Sequence, residues 1–194
     1  TARLGEVRGE AYVKKFTEER ELTVLLMVDI SGSGDFGSVE QSKRELAAEA
    51  ACVLAFSAIR NGDKVGLLAF TDRVERFVPP RKGTRHVLRI VRELLALKPQ
   101  GTGTRIGEAV DEITRIVRKR SVLFVISDFM DQGWERSLSV GRGRHDVIPV
   151  VVSDKAEESL PPVGLLELED PETGETFLVD TSDRGVRARF ASAA

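Results

Sequence analysis

The chain has 194 residues, 41% of them hydrophobic and 31% charged, which is enough for one substantial core and short for two. Its 29 basic side chains nearly balance 31 acidic ones, so the overall charge does not favour nucleic acid or an anionic membrane as a partner. The single cysteine, Cys52, excludes an internal disulfide, and no apolar run approaches the roughly 20 residues of a membrane span. We therefore expect a cytoplasmic protein with no membrane-spanning segment in this chain.

The first twenty residues differ from the rest of the chain. They are rich in charge and carry one small apolar cluster within residues 11–16. Because the first residue is Thr1 rather than Met, we expect residues 1–20 to be a peripheral segment, the end of an upstream region that is missing. Residues 21–194 are predicted to form one domain.

Short apolar runs alternate with longer amphipathic stretches, which is typical of an α/β protein whose sheet is covered on both faces. Buried strands are predicted at residues 23–29, 64–70, 121–127 and 146–152. A run at residues 73–78 that stops at Pro79 and Pro80 predicts an antiparallel edge strand. The pattern predicts a three-layer α/β/α sandwich with a mostly parallel, Rossmann-like central sheet and the first strand in its interior.

The helices come between these strands. They are predicted at residues 39–60, 84–97, 104–118 and 134–140, with a hairpin within residues 165–181 and a last helix from about residue 182. The inward face of the first helix is predicted to consist of Leu46, Ala50, Val53, Leu54 and Ser57.

Polar side chains follow two of the predicted strands at the point where each strand ends. Asp29, Ser31 and Ser33 come after the first strand, and Asp128 comes after the third. Thr102 lies between glycines in a loop that precedes a helix. Ligands of open parallel sheets bind outside the carboxyl ends of the strands, so we expect these five side chains to converge there. Two carboxylates and three hydroxyls suit Mg²⁺ or Mn²⁺, with direct oxygen ligands about 2.1 Å from a magnesium ion.

The same five residues resemble the metal-ion-dependent adhesion site of the von Willebrand factor A domain. The pattern of that site is Asp-x-Ser-x-Ser, then a Thr, then an Asp. By this resemblance Asp29, Ser31 and Ser33 form the first element, Thr102 the second and Asp128 the third. The resemblance implies that the hydroxyls bind the ion directly and that the later carboxylate acts through water.

Longer stretches are similar to the bacterial "domain of unknown function 58" proteins, which are often encoded beside MoxR-type AAA+ ATPases. These stretches are YVKKFTEERELTVLLMVD, NGDKVGLLAF, PPRKG and LPPVGLLELEDPETGE. The resemblance implies a protein partner, with a MoxR-type ATPase as the candidate, and a role in the assembly or maturation of other proteins. Near the site, Gly34 stands where many A domains have Met, and Asp35 adds an acid.

Helix capping and turn chemistry also explain an acid, glycines and serines after a strand. Asp35 and Ser38 are both candidate caps for the first helix, and Thr104 is interpreted as a cap of the helix that follows it. The two histidines, His86 and His145, lie in different predicted elements, which argues against a zinc site.

The composition of the site favours a metal-dependent protein interaction module, in which an ion with one open position accepts an acidic side chain from a partner. The alternative is a metal-dependent phosphoryl-transfer hydrolase. However, haloacid-dehalogenase-like phosphatases carry a second Asp two residues after the nucleophilic Asp, where this chain has Ser31, and no histidine is placed to activate a nucleophile. We therefore expect a binding protein rather than an enzyme. A structural scaffold whose site stays empty is the third interpretation.

Overall fold

The structure is a computed structural model that describes residues 21–31, 37–38, 41–153, 159–169 and 175–193. The predicted peripheral segment at residues 1–20, together with Ser33, Gly34 and Asp35, lies outside the described residues. The strands are β1 (Thr23–Asp29), β2 (Gly37–Ser38), β3 (Gln41–Ser42), β4 (Lys64–Phe70), β5 (Val74–Arg81), β6 (Val122–Ser127), β7 (Asp146–Val151), β8 (Leu165–Glu169) and β9 (Thr176–Asp180). The helices are α1 (Lys43–Arg60), α2 (Thr84–Ala96), α3 (Ile106–Ile116), α4 (Trp134–Arg142) and α5 (Arg184–Ala193).

Five strands form one sheet in the order β5-β4-β1-β6-β7. β1 runs parallel to β4 on one side and to β6 on the other, and β7 is parallel to β6, whereas β5 pairs with β4 antiparallel. All seven residues of β1 are buried, because the strand has a neighbour along each edge and apolar helix residues against its side chains. The predicted α/β class, the mostly parallel sheet with its antiparallel edge and the interior place of β1 are confirmed.

β5 continues past the two prolines that we expected to end it. Pro79 and Pro80 belong to the strand, which ends at Arg81. β5 lies at the edge of the sheet, where a residue without an N–H is tolerated because not every N–H faces a partner strand. The pairing with β4 shifts register at Gly66, where a Cβ would lie 2.9 Å from the Val78 carbonyl oxygen. Glycine therefore allows the irregular pairing that the prolines require.

The buried apolar side chains form two clusters. One contains residues of α1 and α2 and includes Leu26 and Ile90. The other contains residues of α3 and α4 and includes Met27 and Ile113. Successive residues of a strand point to opposite faces of the sheet, so β1 contributes to both clusters.

α1 buries a different face from the one that we predicted. Leu46, Val53 and Ser57 are exposed, and Ala50 and Leu54 are half-buried. The buried residues of the helix are Lys43, Ala47, Ala48, Ala51, Ala55 and Ala58. The prediction was wrong because it favoured large apolar side chains, whereas small alanines let the helix lie close to the sheet.

α1 also begins later than predicted, at Lys43 rather than at residue 39. Its N-cap is Ser42, whose hydroxyl accepts a hydrogen bond from the Glu45 backbone N–H at 3.2 Å. The Glu45 carboxylate in turn accepts one from the Ser42 N–H at 3.2 Å, which completes a capping box. The predictions of Asp35 or Ser38 as the cap of this helix were wrong, because Ser42 supplies the oxygen at the point where the helix starts.

The remaining boundaries differ from the predictions by small amounts. α2 ends at Ala96 rather than at residue 97, and α3 spans Ile106–Ile116 rather than residues 104–118. β8 and β9 form a separate antiparallel pair, as the hairpin pattern predicted, and residues 170–174, which connect them, lie outside the described residues. None of the described helices has the length and apolar character needed to cross a membrane.

Candidate metal centre

The strand order leaves a crevice between the carboxyl ends of β1 and β6. From β1 the chain passes through α1 to β4 on one side of β1, and it later returns to β6 on the other side. Ligands of open parallel sheets bind at such a switch point. A cavity of about 20 Å³ lies there, which is room for about one water molecule. It is lined by Asp29, Ser31, Lys43, Arg44, Ala47, Ser127, Asp128 and Val152.

Asp29 is the last residue of β1, and only 9% of it is exposed. Its Oδ1 accepts a hydrogen bond from the Ser31 backbone N–H at 3.0 Å, and its Oδ2 accepts one from the Ser127 hydroxyl at 2.6 Å. Burial raises the pKa of the Asp29 carboxyl, the hydrogen bonds from Ser127 and Ser31 oppose this rise, and the Asp128 carboxylate adds to it. The two acids therefore repel each other, and a positive charge beside them is favourable.

Lys43 supplies a positive charge at this place. It is the first residue of α1, and its Nζ lies 2.7 Å from Oδ2 of Asp128, with side chains that are 6% and 9% exposed. The first turn of a helix disfavours a cation because the helix dipole is positive there. Loss of either partner would leave an uncompensated buried charge, so the lysine and the carboxylate depend on each other.

The turn after β6 orients both acids. The Ser127 hydroxyl, which donates to the first acid, also accepts a hydrogen bond from the Phe129 N–H at 3.1 Å. Oδ1 of Asp128 accepts one from the Met130 N–H at 3.2 Å. Phe129 has a φ of 59°, a left-handed conformation that is uncommon for a residue other than glycine, and its ring packs edge-on against Trp134 at 5.2 Å. This turn therefore adopts an unfavourable backbone conformation in which two N–H groups face the site.

Thr102 lies in the loop of residues 97–105, which packs on the carboxyl end of β4. Oε1 of Glu75 anchors this loop by accepting hydrogen bonds from the N–H groups of Gln100 at 3.0 Å and Gly101 at 2.7 Å, and from the Thr71 hydroxyl at 2.9 Å. Burial alone would raise the pKa of the Glu75 carboxyl. The hydrogen bonds outweigh this effect, and the pKa is lowered. A Cβ at Gly101 would lie 2.2 Å from Oγ1 of Thr71, so only glycine fits there.

Part of the predicted site is brought together. Asp29, Ser31 and Asp128 line the same cavity. Thr102 is exposed and is not among the described residues that line this cavity. Ser33 lies outside the described residues, so its place relative to the other four stays a prediction.

Two further side chains connect the loop of Thr102 to its surroundings. Arg44 lines the cavity and donates a hydrogen bond to the carbonyl oxygen of Leu97, at the start of that loop. At the other end, Thr104 does not cap α3, contrary to our prediction. Oδ2 of Asp131 accepts the hydrogen bond of the Ile106 N–H at 2.9 Å instead. A carboxylate from the turn after β6 thus accepts the hydrogen bond of the first backbone N–H of α3.

The donor set fits a hard divalent cation in its chemistry, because carboxylate and hydroxyl oxygens are the ligands that Mg²⁺ accepts. Across the described ranges, no three His, Cys, Asp or Glu side chains gather into a metal-binding group. A metal site here therefore depends on hydroxyls as well as on the two acids. In this structure the Lys43 ammonium forms an ion pair with Asp128, which is one of those two acids.

Sequence reasoning missed the other residues that line this cavity, among them Lys43 and Ser127. Lys43 lies in the first turn of α1, but the predicted helix began four residues earlier, so the conflict of this lysine with the helix dipole was not visible in the sequence. Ser127 was interpreted only as the end of a strand. Its position directly before Asp128, at the same edge of the sheet as Asp29, was the available signal.

The chain was also compared with known proteins. Residues 1–194 match the family described as "Protein of unknown function DUF58". An uncharacterized protein of Mycobacterium tuberculosis is 33% identical over 187 residues, which are 94% of this chain and 59% of that protein. The chain therefore spans less than two thirds of the length of this curated relative.

Solved structures give the same fold at lower identity. The crystal structure of an aerotolerance-related membrane protein from Bacteroides fragilis has a TM-score of 0.62 at 20% identity, and covers 88% of this chain and 87% of that one. The conserved hypothetical protein BatB from Bacteroides thetaiotaomicron has a TM-score of 0.60 at 21% identity, over 88% and 85% of the two chains. Because the family match runs from the first to the last residue of the sequence, the chain belongs to the DUF58 family of proteins of unknown function.

Proposed function

We propose that this chain is a metal-dependent protein interaction module with a von Willebrand factor A-like fold. In this proposal Asp29, Ser31, Ser33, Thr102 and Asp128 hold one Mg²⁺ or Mn²⁺ ion. The proposal is supported by one observation: Asp29, Asp128 and Ser31 line the same cavity at the switch point of the sheet. The two core clusters, each with its own pair of helices, support a three-layer arrangement.

The charges of the site favour a bound ion that still attracts an acid. Asp29 and Asp128 would nearly neutralise a divalent cation, whereas the hydroxyls would add no charge. When bound, the ion would supply an open, electrophilic position for a carboxylate of a partner protein. Ser127 and the Ser31 N–H fix the orientation of the Asp29 carboxylate through hydrogen bonds, so the orientation of this one proposed ligand is set in advance.

We propose a protein as the ligand, with a MoxR-type AAA+ ATPase as the candidate and protein assembly or maturation as the process. The basis is the resemblance described above, and the chain covers only part of its relatives. The proposed cytoplasmic location rests on the single cysteine and the absence of long apolar runs in the sequence.

A phosphoryl-transfer hydrolase has less support. Neither histidine lines the cavity, since the His86 ring bonds the Val65 carbonyl oxygen at 3.0 Å and His145 is buried just before β7. The described cavity also has only two acids, whereas two-metal hydrolysis would need more carboxylates. We therefore propose no catalytic role.

A metal-free scaffold has one specific observation in its favour. The pair of Lys43 and Asp128 already balances one buried acid without any ion. The two candidates differ in a measurable way, because a protein that binds a ligand only when folded is stabilised by that ligand.

The first experiment compares the unmodified chain with Asp29→Ala. We expect Mg²⁺ or Mn²⁺ to raise the melting temperature of the unmodified chain, with about 2.7 kcal/mol of stabilisation at a free ion concentration near one hundred times Kd. Asp29→Ala should remove this effect because it deletes a proposed ligand at the strand end. Isothermal titration with the ions measures whether the chain binds metal. Isothermal titration with a purified MoxR-type ATPase, with and without chelator, measures whether partner binding depends on that metal.

Asp111→Ala is the matched control, because it removes one acid from an exposed position of α3. It should respond to the ions as the unmodified chain does. No response of the unmodified chain to either ion would overturn the metal-dependent proposal and leave the scaffold.

A further inference from the structure

We propose that the Lys43 ammonium is a built-in competitor for the divalent cation, so that an ion enters the cavity only by displacing Lys43 from Asp128. This inference rests on the proposed metal site and adds a control over its occupancy.

The position of Lys43 carries the first step of this inference. Its Nζ lies 2.7 Å from Oδ2 of Asp128, in the same cavity that Asp29 lines. Both members of the ion pair are nearly inaccessible to solvent, with exposures of 6% and 9%. An ammonium in direct contact with a predicted ligand, inside the predicted site, occupies the space and the charge role that an ion would take.

The size of the cavity carries the second step. The free volume that remains beside Lys43 is about 20 Å³, which is room for about one water molecule. Magnesium in proteins usually keeps several of its waters. The ammonium takes up part of this space, so its departure enlarges the room for an ion and its waters.

The charges carry the third step. Two carboxylates balance one divalent ion, but Arg44 also lines the cavity, and a lysine at contact distance would add a further positive charge and repel the ion. The start of α1 makes the same place still less favourable for two cations, because the helix dipole is positive there. Displacement of Lys43 to solvent removes its share of both penalties, and the Ser42 cap can hold the helix start without it.

The experiment measures metal affinity in variants that lack the competing charge. Lys43→Gln keeps a hydrogen-bond donor for Asp128 without the charge, and Lys43→Met removes both. Isothermal titration with Mn²⁺ alone should give a Kd for each variant that is lower than that of the unmodified chain by about tenfold or more. Lys119→Met removes a charge from an exposed position and should leave the Kd unchanged.

Accessibility of Lys43 gives a second measurement on the unmodified chain. Without ions, Lys43 should resist acylation by an amine-reactive reagent because it is buried, whereas Lys119 should react freely. Saturating Mn²⁺ should increase the labelling of Lys43, measured by mass spectrometry, and leave that of Lys119 unchanged. This measurement does not depend on whether a Lys43 variant folds.

The outcomes separate this inference from the proposed function. Equal Kd values for the unmodified chain and both Lys43 variants, with binding lost in Asp29→Ala, would keep the metal site and overturn the role of Lys43. No Mn²⁺ binding by any variant, Lys43→Gln included, would overturn the metal site and this inference together. Tighter binding by the Lys43 variants that survives addition of Asp29→Ala would overturn both as well, since the ion would then bind elsewhere.

Discussion

His145 immediately precedes β7, and only 1% of it is exposed. Neither of its ring nitrogens has a hydrogen-bond partner within the described part of the chain, and the same holds for the Thr114 hydroxyl oxygen. Burial lowers the pKa of the His145 imidazole, the Arg144 and Arg120 guanidinium groups lower it further, and the Asp146 carboxylate opposes them. The folded protein therefore holds this ring in its neutral form.

A dependence of stability on pH follows from this burial. Because the pKa of His145 is lower in the folded chain than its ordinary value of 6.5, its contribution to stability is complete above pH 6.5 and is lost as the pH falls toward the folded-state pKa. We expect His145→Phe and His145→Gln to reduce the loss of unfolding free energy between pH 7.5 and pH 5.5. Urea unfolding at several pH values measures this, and identical pH profiles for all three proteins would contradict it.

The acids of the candidate site were predictable from the sequence, and the lysine that pairs with Asp128 was not. Asp29 and Asp128 each follow an apolar run, and a parallel sheet brings the ends of such runs together. Lys43 reaches Asp128 across 85 positions of sequence. No local pattern around Lys43 identifies that partner, because the pairing depends on the angle at which α1 packs on the sheet.

At the scale of the element, α1 shows how hydrophobic periodicity can identify a helix and still give the wrong inward face. The stretch carries large apolar residues on one side and alanines on another, and the alanines face the sheet. Val53 is 64% exposed, whereas Ala55 is fully buried. The size of the apolar side chains did not predict the buried face of α1, because a helix that packs closely on a strand such as β1 leaves little room for long side chains.

The close packing of α1 predicts a strong response to added volume. Ala55→Leu should lower the unfolding free energy by about 1–3 kcal/mol, since three further carbon atoms have no space in a filled core. Ser57→Leu, which adds similar bulk at an exposed position of the same helix, should change it by less than about 0.5 kcal/mol. Chemical denaturation measures both variants, and equal effects would mean that the alanine face is not packed against the sheet.

At the scale of the whole molecule, the class of the fold was predictable because strand and helix patterns alternate so regularly. The order of the strands was not, since a sequence of alternating elements is compatible with several orders. The course of β5 through Pro79 and Pro80 also escaped prediction, because tolerance of proline depends on an edge position and on the irregular pairing at Gly66. Tertiary surroundings decided each of these features.

The sheet topology predicts an uneven distribution of stability. β1 is buried and paired on both sides. Among the described strands, β8 and β9 pair only with each other, and they carry exposed residues such as Leu165 and Leu178. We expect amide hydrogens of β1 to exchange only through global unfolding, and those of β8 and β9 to exchange much faster through local opening. Hydrogen exchange followed by mass spectrometry checks this, with β5 as an edge strand of intermediate protection. Equal protection of β1 and the β8–β9 pair would contradict it.

The hydrogen bond between Asp29 and Ser127 joins residues 98 positions apart. Closing so long a loop has an entropic cost, so contacts of this kind form late, after more local structure is in place. The cavity consequently does not exist in any partly folded chain in which β6 has not yet joined β1. During synthesis it cannot form before the turn after β6 has left the ribosome, so a newly made chain acquires this cavity only after β1, α1, β4 and β6 have all emerged.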